Sequence, residues 1–561
     1  MPRLRALLTA LLAASLVAPP FADARQKPSR RRALAVDNDM KDIPEPKRYR
    51  DAQFYDFFDA TFFQQPRQTF DLTRWNGPRP AYNVNSEDQV PDSSWFTNRN
   101  ARRLMSLDEI RRGPNNGGGP PETRGPWTII GRKESGITPG FRMKDAAGEV
   151  WFIKFDSLEN PELATGAEMV STKLYYASGY NTTENYIVRF DPAIVQIAPD
   201  ATIVDSTGFE CAMAPADVTE MMKQVPKLAD GRVRAMASRL LAGKPKGPFK
   251  YHGRRKDDPN DWIPHEHRRE LRGLRVVASW LNDNDIRERN TLDMYVTENG
   301  KRFLRHYLID YGSSLGSDTL FPNIDRAGFE YIFDGGEIGK SAMSLGLYQP
   351  PWLGNRPVRY ASVGNFEAGT FRPERWKPNY PIMAFDNLTA VDAYWGARIV
   401  LSFTDAQIRA AVESAEYSDK AAAEYLVQTL IERRERIGRH WLQLAGGLDH
   451  FRMVTGTNGE MAMQFDDLTV QRGYAEPAER IYRHRVRNGK KAGPWHEFKA
   501  AGNLDGVVSL KPGSVAFPSW EQVIEVQVRN APESRWSPGV AVTAGVDAGE
   551  ARIFGWVRAE S

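Results

Sequence analysis

Cysteine is nearly absent from this chain of 561 residues, because Cys211 is the only one. An intrachain disulfide is therefore excluded, even in a compartment that would allow one. No cysteine stands close to the amino terminus, which argues against a lipid anchor there. Stability must come from an ordinary hydrophobic core, and an apolar content of 41% with 11% aromatic residues is enough to build one.

Long apolar runs are also missing. The run over residues 7–17 is too short to span a bilayer, and no later stretch approaches about 20 apolar residues. Arg3 and Arg5 precede this run, and a small-x-small pattern ending at Ala24 follows it, as in a secretory signal peptide. We expect residues 1–24 to be cleaved from an exported protein that is periplasmic or extracellular. The alternative is a short anchor that is retained.

The chain also lacks a large excess of either positive or negative charge. The chain has 75 basic and 71 acidic residues, a net charge of +4 and a pI near 8.8. This balance gives no reason to expect a nucleic-acid partner. The length leaves room for about three or four domains.

Composition and turn signals divide the rest of the chain into four parts. A Gly-Pro-rich run ends the first part, and regular alternation marks the last. The expected parts are an N-terminal extension with linker (25–121), a small lobe (122–215), a larger lobe with insertions (216–448) and a β-sandwich-like domain (449–561).

The small lobe shows the order β-β-β-α-β-β. Apolar runs begin at Trp127, Gly140 and Val150, and apolar residues repeat at helical spacing over residues 162–178. Strand patterns resume over residues 185–190 and 193–197. The basic stretch over residues 216–268 has little regular pattern and is predicted to be a solvated insertion.

The larger lobe has three helical patterns and one long irregular stretch. A helix is expected from His267 to Leu281, another after the capping sequence at Thr404, and a third over residues 419–442. Residues 316–385 show little regular pattern.

The last part alternates like strands that are buried on one face. Arginines at 483, 485 and 487 share a strand face, which we interpret as a solvated basic surface rather than a site for an acidic polymer. For the tryptophans, core packing is favoured over stacking on sugars: Trp495, Trp520, Trp536 and Trp556.

Three oxygen-bearing side chains have the spacing of a phosphoryl-transfer site. Asn290 follows Asp285 by five residues, and Asp310 ends an apolar strand. Magnesium prefers hard oxygen ligands and usually takes only one or two carboxylates plus substrate phosphates. A base followed by two metal ligands is the arrangement of a kinase catalytic loop. The alternative is a pair of polar turns.

A lysine and a glutamate upstream fit the same chemistry. Lys154 ends the apolar strand V-W-F-I-K, and Glu168 lies on the helix that follows. Taken alone, they would be read as an edge-strand lysine and a surface glutamate. The loop S-G-I-T-P-G contains Gly136 and Gly140, whose amides are candidates for covering phosphates. It is neither G-x-G-x-x-G nor a Walker A loop, and a simple hairpin turn fits equally well.

The stretch N-D-I-R-E-R-N-T-L over residues 284–292 resembles the catalytic loop of the HipA-like and CotH-like atypical kinases, and of the phosphoinositide-kinase-like branch. The resemblance implies an α+β fold with a two-lobed protein-kinase-like core, here flanked by an N-terminal extension and a C-terminal all-β domain. It also implies ATP and Mg²⁺ as cofactors.

By position, the resemblance assigns a role to each candidate. Asp285 would be the catalytic base, and Asn290 and Asp310 would bind the metal. Lys154, held by Glu168, would contact the phosphates. Nucleotide contacts are also expected from Gly136, Gly140 and Arg287. Asp283 competes for the role of base, although its spacing to Asn290 is two residues longer.

We therefore expect an exported atypical kinase that transfers a phosphoryl or nucleotidyl group from ATP to an acceptor hydroxyl. The acceptor is a protein, a sugar or a small molecule. The alternative is an inactive kinase-like scaffold whose β domain binds a glycan or a protein partner.

Overall fold

The computed structural model describes residues 39–50, 53–64, 79–132, 139–204, 210–354, 357–455, 461–499, 505–510, 521–532, 535–547 and 550–560. The chain has the expected α+β class, with helices and strands mixed up to residue 446 and a largely β part after it.

The helices are α1 Gln53–Phe58, α2 Leu107–Arg112, α3 Leu163–Ser178, α4 Pro215–Lys223, α5 Arg269–Leu281, α6 Gly335–Met343, α7 Met383–Asp386, α8 Ala390–Leu401, α9 Asp405–Glu413, α10 Lys420–Ala445 and α11 Leu468–Gln471.

The strands before the C-terminal part are β1 Trp127–Arg132, β2 Gly140–Lys144, β3 Val150–Lys154, β4 Asn185–Phe190, β5 Val195–Val204, β6 Glu210–Ala212, β7 Val233–Arg239, β8 Lys244–Pro245, β9 Thr291–Glu298, β10 Lys301–Leu308, β11 Ser317–Asp318 and β12 Phe321–Pro322. Those of the C-terminal part are β13 Leu448–Thr455, β14 Met461–Asp467, β15 Arg480–Asn488, β16 Lys491–Ala492, β17 His496–Phe498, β18 Val507–Ser509, β19 Gln522–Asn530, β20 Val540–Asp547 and β21 Glu550–Arg558.

A seven-stranded sheet with the order β4-β7-β3-β2-β1-β5-β6 forms the sheet lobe. The predicted strands β1 to β4 and helix α3 are confirmed. The strand predicted over residues 193–197 begins only at Val195, as β5, after a 3₁₀ turn over Pro192–Ile194. Apolar side chains of α4 cover one face of the sheet. Helix α3 is buried almost throughout and contributes to the large central core of the chain.

The solvated insertion predicted over residues 216–268 is wrong: its first half contains most of α4 and all of β7, and in its second half Lys246, Arg255 and Arg268 are buried. Strand β7 lies inside the sheet, between β3 and β4. It was missed because both of its faces are buried, so its apolar residues do not alternate with polar ones. Even Arg234 is buried, since it pairs with Asp156. The boundaries expected at residues 121, 215 and 448 stay a prediction.

Helices α5, α8, α9 and α10 pack together as a helical lobe. The three helices predicted here are confirmed as α5, α9 and α10. Helix α9 begins with a capping box in which the Thr404 hydroxyl accepts from the Gln407 backbone N–H. The extension packs onto this lobe, because Trp95 and Phe96 belong to its buried core.

The C-terminal part has two sheets, β13-β14-β18 and β16-β15-β19-β20-β21, with β17 also paired to β15. Phe451 and Phe465 from one sheet share a core with Val526 and Val542 from the other. The predicted all-β character is thus confirmed, with the short helix α11 as an addition.

The arginines at 483, 485 and 487 of β15 were predicted to form a solvated basic surface, but Arg483 packs against two tryptophan rings. The Arg483 guanidinium lies between two indoles, 4.3 Å from the Trp495 ring centre and 4.1 Å from that of Trp536. Core packing is therefore the wrong interpretation for these two tryptophans, whereas Trp556 does pack against the core. Trp520 lies outside the described residues.

Within the described part of the chain, no helix combines the length and the apolar composition that crossing a bilayer requires.

Candidate active site

Lys154 lies at the end of β3, facing the carboxylates of two other elements. Its Nζ atom is 2.8 Å from both carboxylate oxygens of Glu168 and 2.8 Å from Oδ1 of Asp310. Burial disfavours the charge on this amine, but the carboxylates of Asp310 and Glu168 outweigh it and raise the pKa of Lys154. The amine therefore stays protonated and holds the two acidic groups together.

Helix α3 carries Glu168 and is fixed to the end of β3 by a buried carboxylate. Asp156 accepts hydrogen bonds from the Thr165 backbone N–H at 2.9 Å and from its hydroxyl at 2.6 Å. Arg234 of β7 donates to the same carboxylate. These contacts set the distance between β3 and α3, so Lys154 and Glu168 meet without depending on surface side chains.

Asp310 follows β10 and has a φ of 63°, in the left-handed region that aspartate tolerates better than most residues. The next residue, Tyr311, is buried; its ring stacks on Tyr175 of α3 at 4.9 Å, and its hydroxyl donates to the Leu308 carbonyl. The chain around Asp310 is thereby anchored to the helix that carries Glu168. A Cβ added to Gly312 would lie 3.7 Å from Oε2 of Glu168.

The loop after α5 brings Asp285 and Asn290 together. Nδ2 of Asn290 donates to the Asp285 backbone carbonyl at 2.9 Å and to its carboxylate at 3.2 Å. The Ile309 backbone N–H donates to the Asn290 carbonyl at 3.0 Å, which joins this loop to the residue before Asp310. Arg287 pairs with the Asp285 carboxylate at 3.2 Å. All three predicted oxygen-bearing side chains therefore lie close together.

Asp285 and Asp283 differ in environment. Burial, with a smaller contribution from Asp310, raises the pKa of Asp285 to about 6, although Arg287 opposes the shift. Burial raises the pKa of Asp283 to about 7, and Tyr175 donates a hydrogen bond to its carboxylate at 2.8 Å. Asp283 is only 4% exposed, whereas the Asp285 side chain is 20% exposed. Asp285 is thus the more accessible proton acceptor, and Asp283 is a buried structural group.

Gly136 and Gly140 are the two glycines predicted to contact the nucleotide. Gly136 lies outside the described residues. Gly140 begins β2 and pairs with Lys154 across the sheet. A Cβ at this position would lie 2.2 Å from the Ile153 carbonyl oxygen, so glycine permits the close approach of the two strands.

Sequence reasoning missed the residues that hold the Asp285 loop in place. Asn284 exchanges side-chain hydrogen bonds with Asn323 and also donates to Asn379. Arg433 of α10 donates to the carbonyls of Ser279 and Trp280 at the end of α5. These partners are far apart in the chain, and no local spacing connects them.

The donor set fits a magnesium nucleotide. Because Asn290 directs its Nδ2 atom to Asp285, the amide oxygen is the atom left for a metal, and Asp310 supplies a carboxylate. In the described ranges, no group of three or more His, Cys, Asp or Glu side chains is arranged to hold a metal. Two protein ligands are nevertheless sufficient where phosphate oxygens complete the shell. Lys154 is the matching cation for phosphate.

No family model and no curated protein matches this chain. A Helicobacter pylori proinflammatory kinase, CtkA, is 12% identical in a match that covers 56% of this chain and 95% of that structure, with a TM-score of 0.30. The Golgi casein kinase is 11% identical over 76% of this chain and 95% of its own, with a TM-score of 0.26. Its structure with Mn/ADP bound is 10% identical over 72% and 97%, with a TM-score of 0.24. These likenesses do not distinguish the branch suggested by the sequence.

Proposed function

We propose that this protein is a kinase-like phosphotransferase that uses ATP and Mg²⁺. One observation carries the proposal: the Lys154 amine lies 2.8 Å from carboxylate oxygens of both Glu168 and Asp310. Three elements distant in sequence, β3, α3 and the segment after β10, have to converge for this contact. Phosphoryl transfer demands positioning and charge compensation of this kind from a protein.

Each residue then has a definable task. Bound magnesium ATP supplies the phosphoryl group and the negative charge that the site must compensate. Lys154 would contact the phosphates, while Glu168 keeps the amine in position. Asn290 and Asp310 would hold the metal through their oxygens.

Asp285 orients the acceptor hydroxyl and accepts its proton. A pKa of about 6 suits this task, because the carboxylate is ionised at neutral pH and still basic enough to take a proton. Arg287, which pairs with Asp285, also donates a hydrogen bond to the Tyr380 hydroxyl at 3.4 Å. The acceptor is a hydroxyl of a protein, a sugar or a small molecule, and nucleotidyl transfer is a variant open to the same groups.

We further propose that the protein is exported, with a mature chain that begins after Ala24. The support is the basic start, the short apolar run and the small residues before the cleavage point.

Nucleotide binding tests the proposal most directly. The chain beginning at residue 25 is titrated with ATP, GTP, Mg²⁺ and Mn²⁺ while the unfolding temperature is measured. A ligand that binds the folded state raises this temperature by mass action. We expect Mg²⁺-dependent stabilisation by ATP that is lost in D310N and in K154M.

The matched control is D547N, which changes an exposed carboxylate paired with Arg552 in the C-terminal part. It should bind nucleotide like the parent protein. The same Mg²⁺-dependent stabilisation in D310N as in the parent would contradict the proposal.

A further inference from the structure

A cavity of about 450 Å³ lies between the N-terminal extension and the C-terminal end of α3, away from the Lys154 site. Four arginines line it: Arg99, Arg102, Arg103 and Arg112. Glu109 is the single carboxylate among its lining residues. The lining therefore carries a formal excess of three positive charges.

The nearby carboxylates compensate this charge only in part. Glu109 is engaged by Arg103 at 2.7 Å and by the Ser106 backbone N–H at 2.7 Å. Asp92 approaches Arg102 only to 3.9 Å, and both side chains are largely exposed. Such an exposed pair contributes little. Within the described ranges, no carboxylate forms an ion pair with Arg112.

Arg99 is one of the lining residues of this cavity, and its side chain is held in direction by two backbone carbonyls. Its Nη1 atom donates to the carbonyls of Tyr176 at 2.8 Å and Tyr180 at 3.1 Å, and its guanidinium stacks on the Tyr176 ring at 3.9 Å. Burial lowers the pKa of Arg99. In the part of the chain that the structure describes, its hydrogen bonds go to carbonyl oxygens and none goes to a carboxylate. An anion in the cavity would supply the missing countercharge.

We propose that this cavity binds an anion bearing a phosphate group, either as free phosphate or as a small phosphate monoester. Arginine suits this ligand because its planar fork donates two parallel hydrogen bonds to phosphate oxygens. A dianion also matches the excess charge better than a carboxylate would. The proposal is independent of the phosphotransferase function, because none of its residues contacts Lys154, Asp285 or Asp310.

The site is joined directly to α3. Tyr176 belongs to this helix, and Lys173, one turn earlier, donates to the Arg112 carbonyl at 2.9 Å. A Cβ on Gly113, which lines the cavity, would lie 2.6 Å from Cδ of Lys173. A bound anion would therefore stabilise the C-terminal end of the helix that carries Glu168 about two turns earlier.

Binding is measured by calorimetry and by unfolding temperature on the chain beginning at residue 25, without nucleotide. Inorganic phosphate and glycerol 3-phosphate are the two probes, each at an ionic strength held constant with chloride. Saturable binding of inorganic phosphate identifies free phosphate as the ligand. Tighter binding of glycerol 3-phosphate than of inorganic phosphate identifies a phosphate monoester. The double variant R102Q/R112Q should weaken binding at least tenfold.

Two controls locate the bound anion. Arg111 is adjacent in sequence but pairs with Asp108 and Glu413 outside the cavity, so R111Q should bind the probes like the parent protein. K154M should also retain binding. The proposal is wrong if neither probe binds saturably, if R111Q weakens binding as much as R102Q/R112Q, or if binding is lost in K154M and kept in R102Q/R112Q.

Discussion

At the scale of single residues, substitution of two neighbouring aspartates is predicted to have opposite effects on turnover. Asp285 is accessible and faces Asn290 and Arg287, whereas Asp283 is buried against Tyr175. We expect D285N to reduce the turnover of magnesium ATP at least 100-fold, since a positioned base typically contributes 10²–10⁴-fold. Binding of ATP should remain, because the proposed function assigns Asp285 no contact with the phosphates or the metal.

D283N is the matched variant for that experiment. Asparagine still accepts the hydrogen bond from Tyr175, so turnover should stay within a few-fold of the parent protein. Release of phosphate from ATP and calorimetric titration with the nucleotide separate the two effects. A collapse of turnover in D283N but not in D285N would assign the base to Asp283.

The raised pKa of Asp285 predicts a dependence of stability on pH. A carboxyl whose pKa is about 6 in the folded state, against about 4 when unfolded, binds its proton more tightly in the folded protein. Stability therefore falls as the pH rises from about 4 to about 6, and the cost persists above that range. D285N removes this cost and should raise the free energy of unfolding at pH 8 by about 1–3 kcal/mol.

At pH 4 the same substitution should change stability little, because Asp285 is then protonated in the folded state and about half protonated in the unfolded state. Urea unfolding at the two pH values measures the difference. Equal destabilisation by D285N at both pH values would show that ionisation of Asp285 carries no cost in stability, which would contradict the prediction. The gain at pH 8 would accompany a loss of turnover, as expected where a functional group is maintained against stability.

Lys154, Asp285 and Asn290 of the candidate site could be selected from sequence because each lies beside a strong local pattern. Lys154 ends an apolar strand, and the five-residue spacing from Asp285 to Asn290 is short enough to read directly. Asp156 and Arg433 could not be found in this way. Their partners, Thr165 for one and the carbonyls of Ser279 and Trp280 for the other, become neighbours only after folding.

At the scale of elements, the hairpin β2–β3 depends on the absence of a side chain at one point. An added Cβ at Gly140 would lie 2.2 Å from the Ile153 carbonyl oxygen, opposite Lys154. G140A must separate the strands or shift β3, so we expect a loss of about 1–3 kcal/mol in stability. The displacement of Lys154 should also weaken ATP binding.

The matched glycine is Gly335, at the start of α6, where a Cβ would meet nothing within 4 Å. G335A should be neutral or slightly stabilising, since alanine is the better helix former. Unfolding temperatures of the two variants, followed by titration with magnesium ATP, provide the comparison. A G140A protein as stable as G335A would mean that the two strands have more room than their backbone contact suggests.

Strands buried on one face were predictable from sequence, whereas a strand buried on both faces was not. Strand β3 alternates between buried and partly exposed residues, and α9 begins with a capping box, so both were recognised. Strand β7 is buried on both faces and contains the paired Arg234, so its sequence resembles a basic loop. Its place in the sheet follows from pairing with β3 and β4, which no local window contains.

At the scale of the whole molecule, a buried chain of ion pairs connects the extension, the helical lobe and the C-terminal part. Arg269 of α5 contacts Asp88 of the extension at 2.6 Å and Asp392 of α8 at 3.0 Å. Arg558 of β21 lies 3.6 Å from Asp88 and 3.1 Å from Asp449. All five residues are nearly inaccessible to solvent. Residues far apart in sequence thus fix how the parts of the chain pack together.

Arg558 is the link whose removal tests this coupling. Its guanidinium also stacks on Tyr394 of α8 at 4.1 Å, so R558A leaves a buried gap as well as weakened charge pairing at Asp88 and Asp449. We expect R558A to lower the free energy of unfolding by about 3 kcal/mol, the lower end for breaking a buried pair, because Arg269 and Arg398 still compensate the two aspartates.

The control is Arg552, which lies on the same strand in an exposed pair with Asp547. R552A should change the free energy of unfolding by less than about 0.5 kcal/mol. Urea unfolding, followed by tryptophan fluorescence, compares the two variants. Because Arg558 joins the C-terminal part to the rest of the chain, R558A should also broaden the unfolding transition or split it in two. A single sharp unfolding transition at the midpoint of the parent protein would show that other contacts hold the parts together.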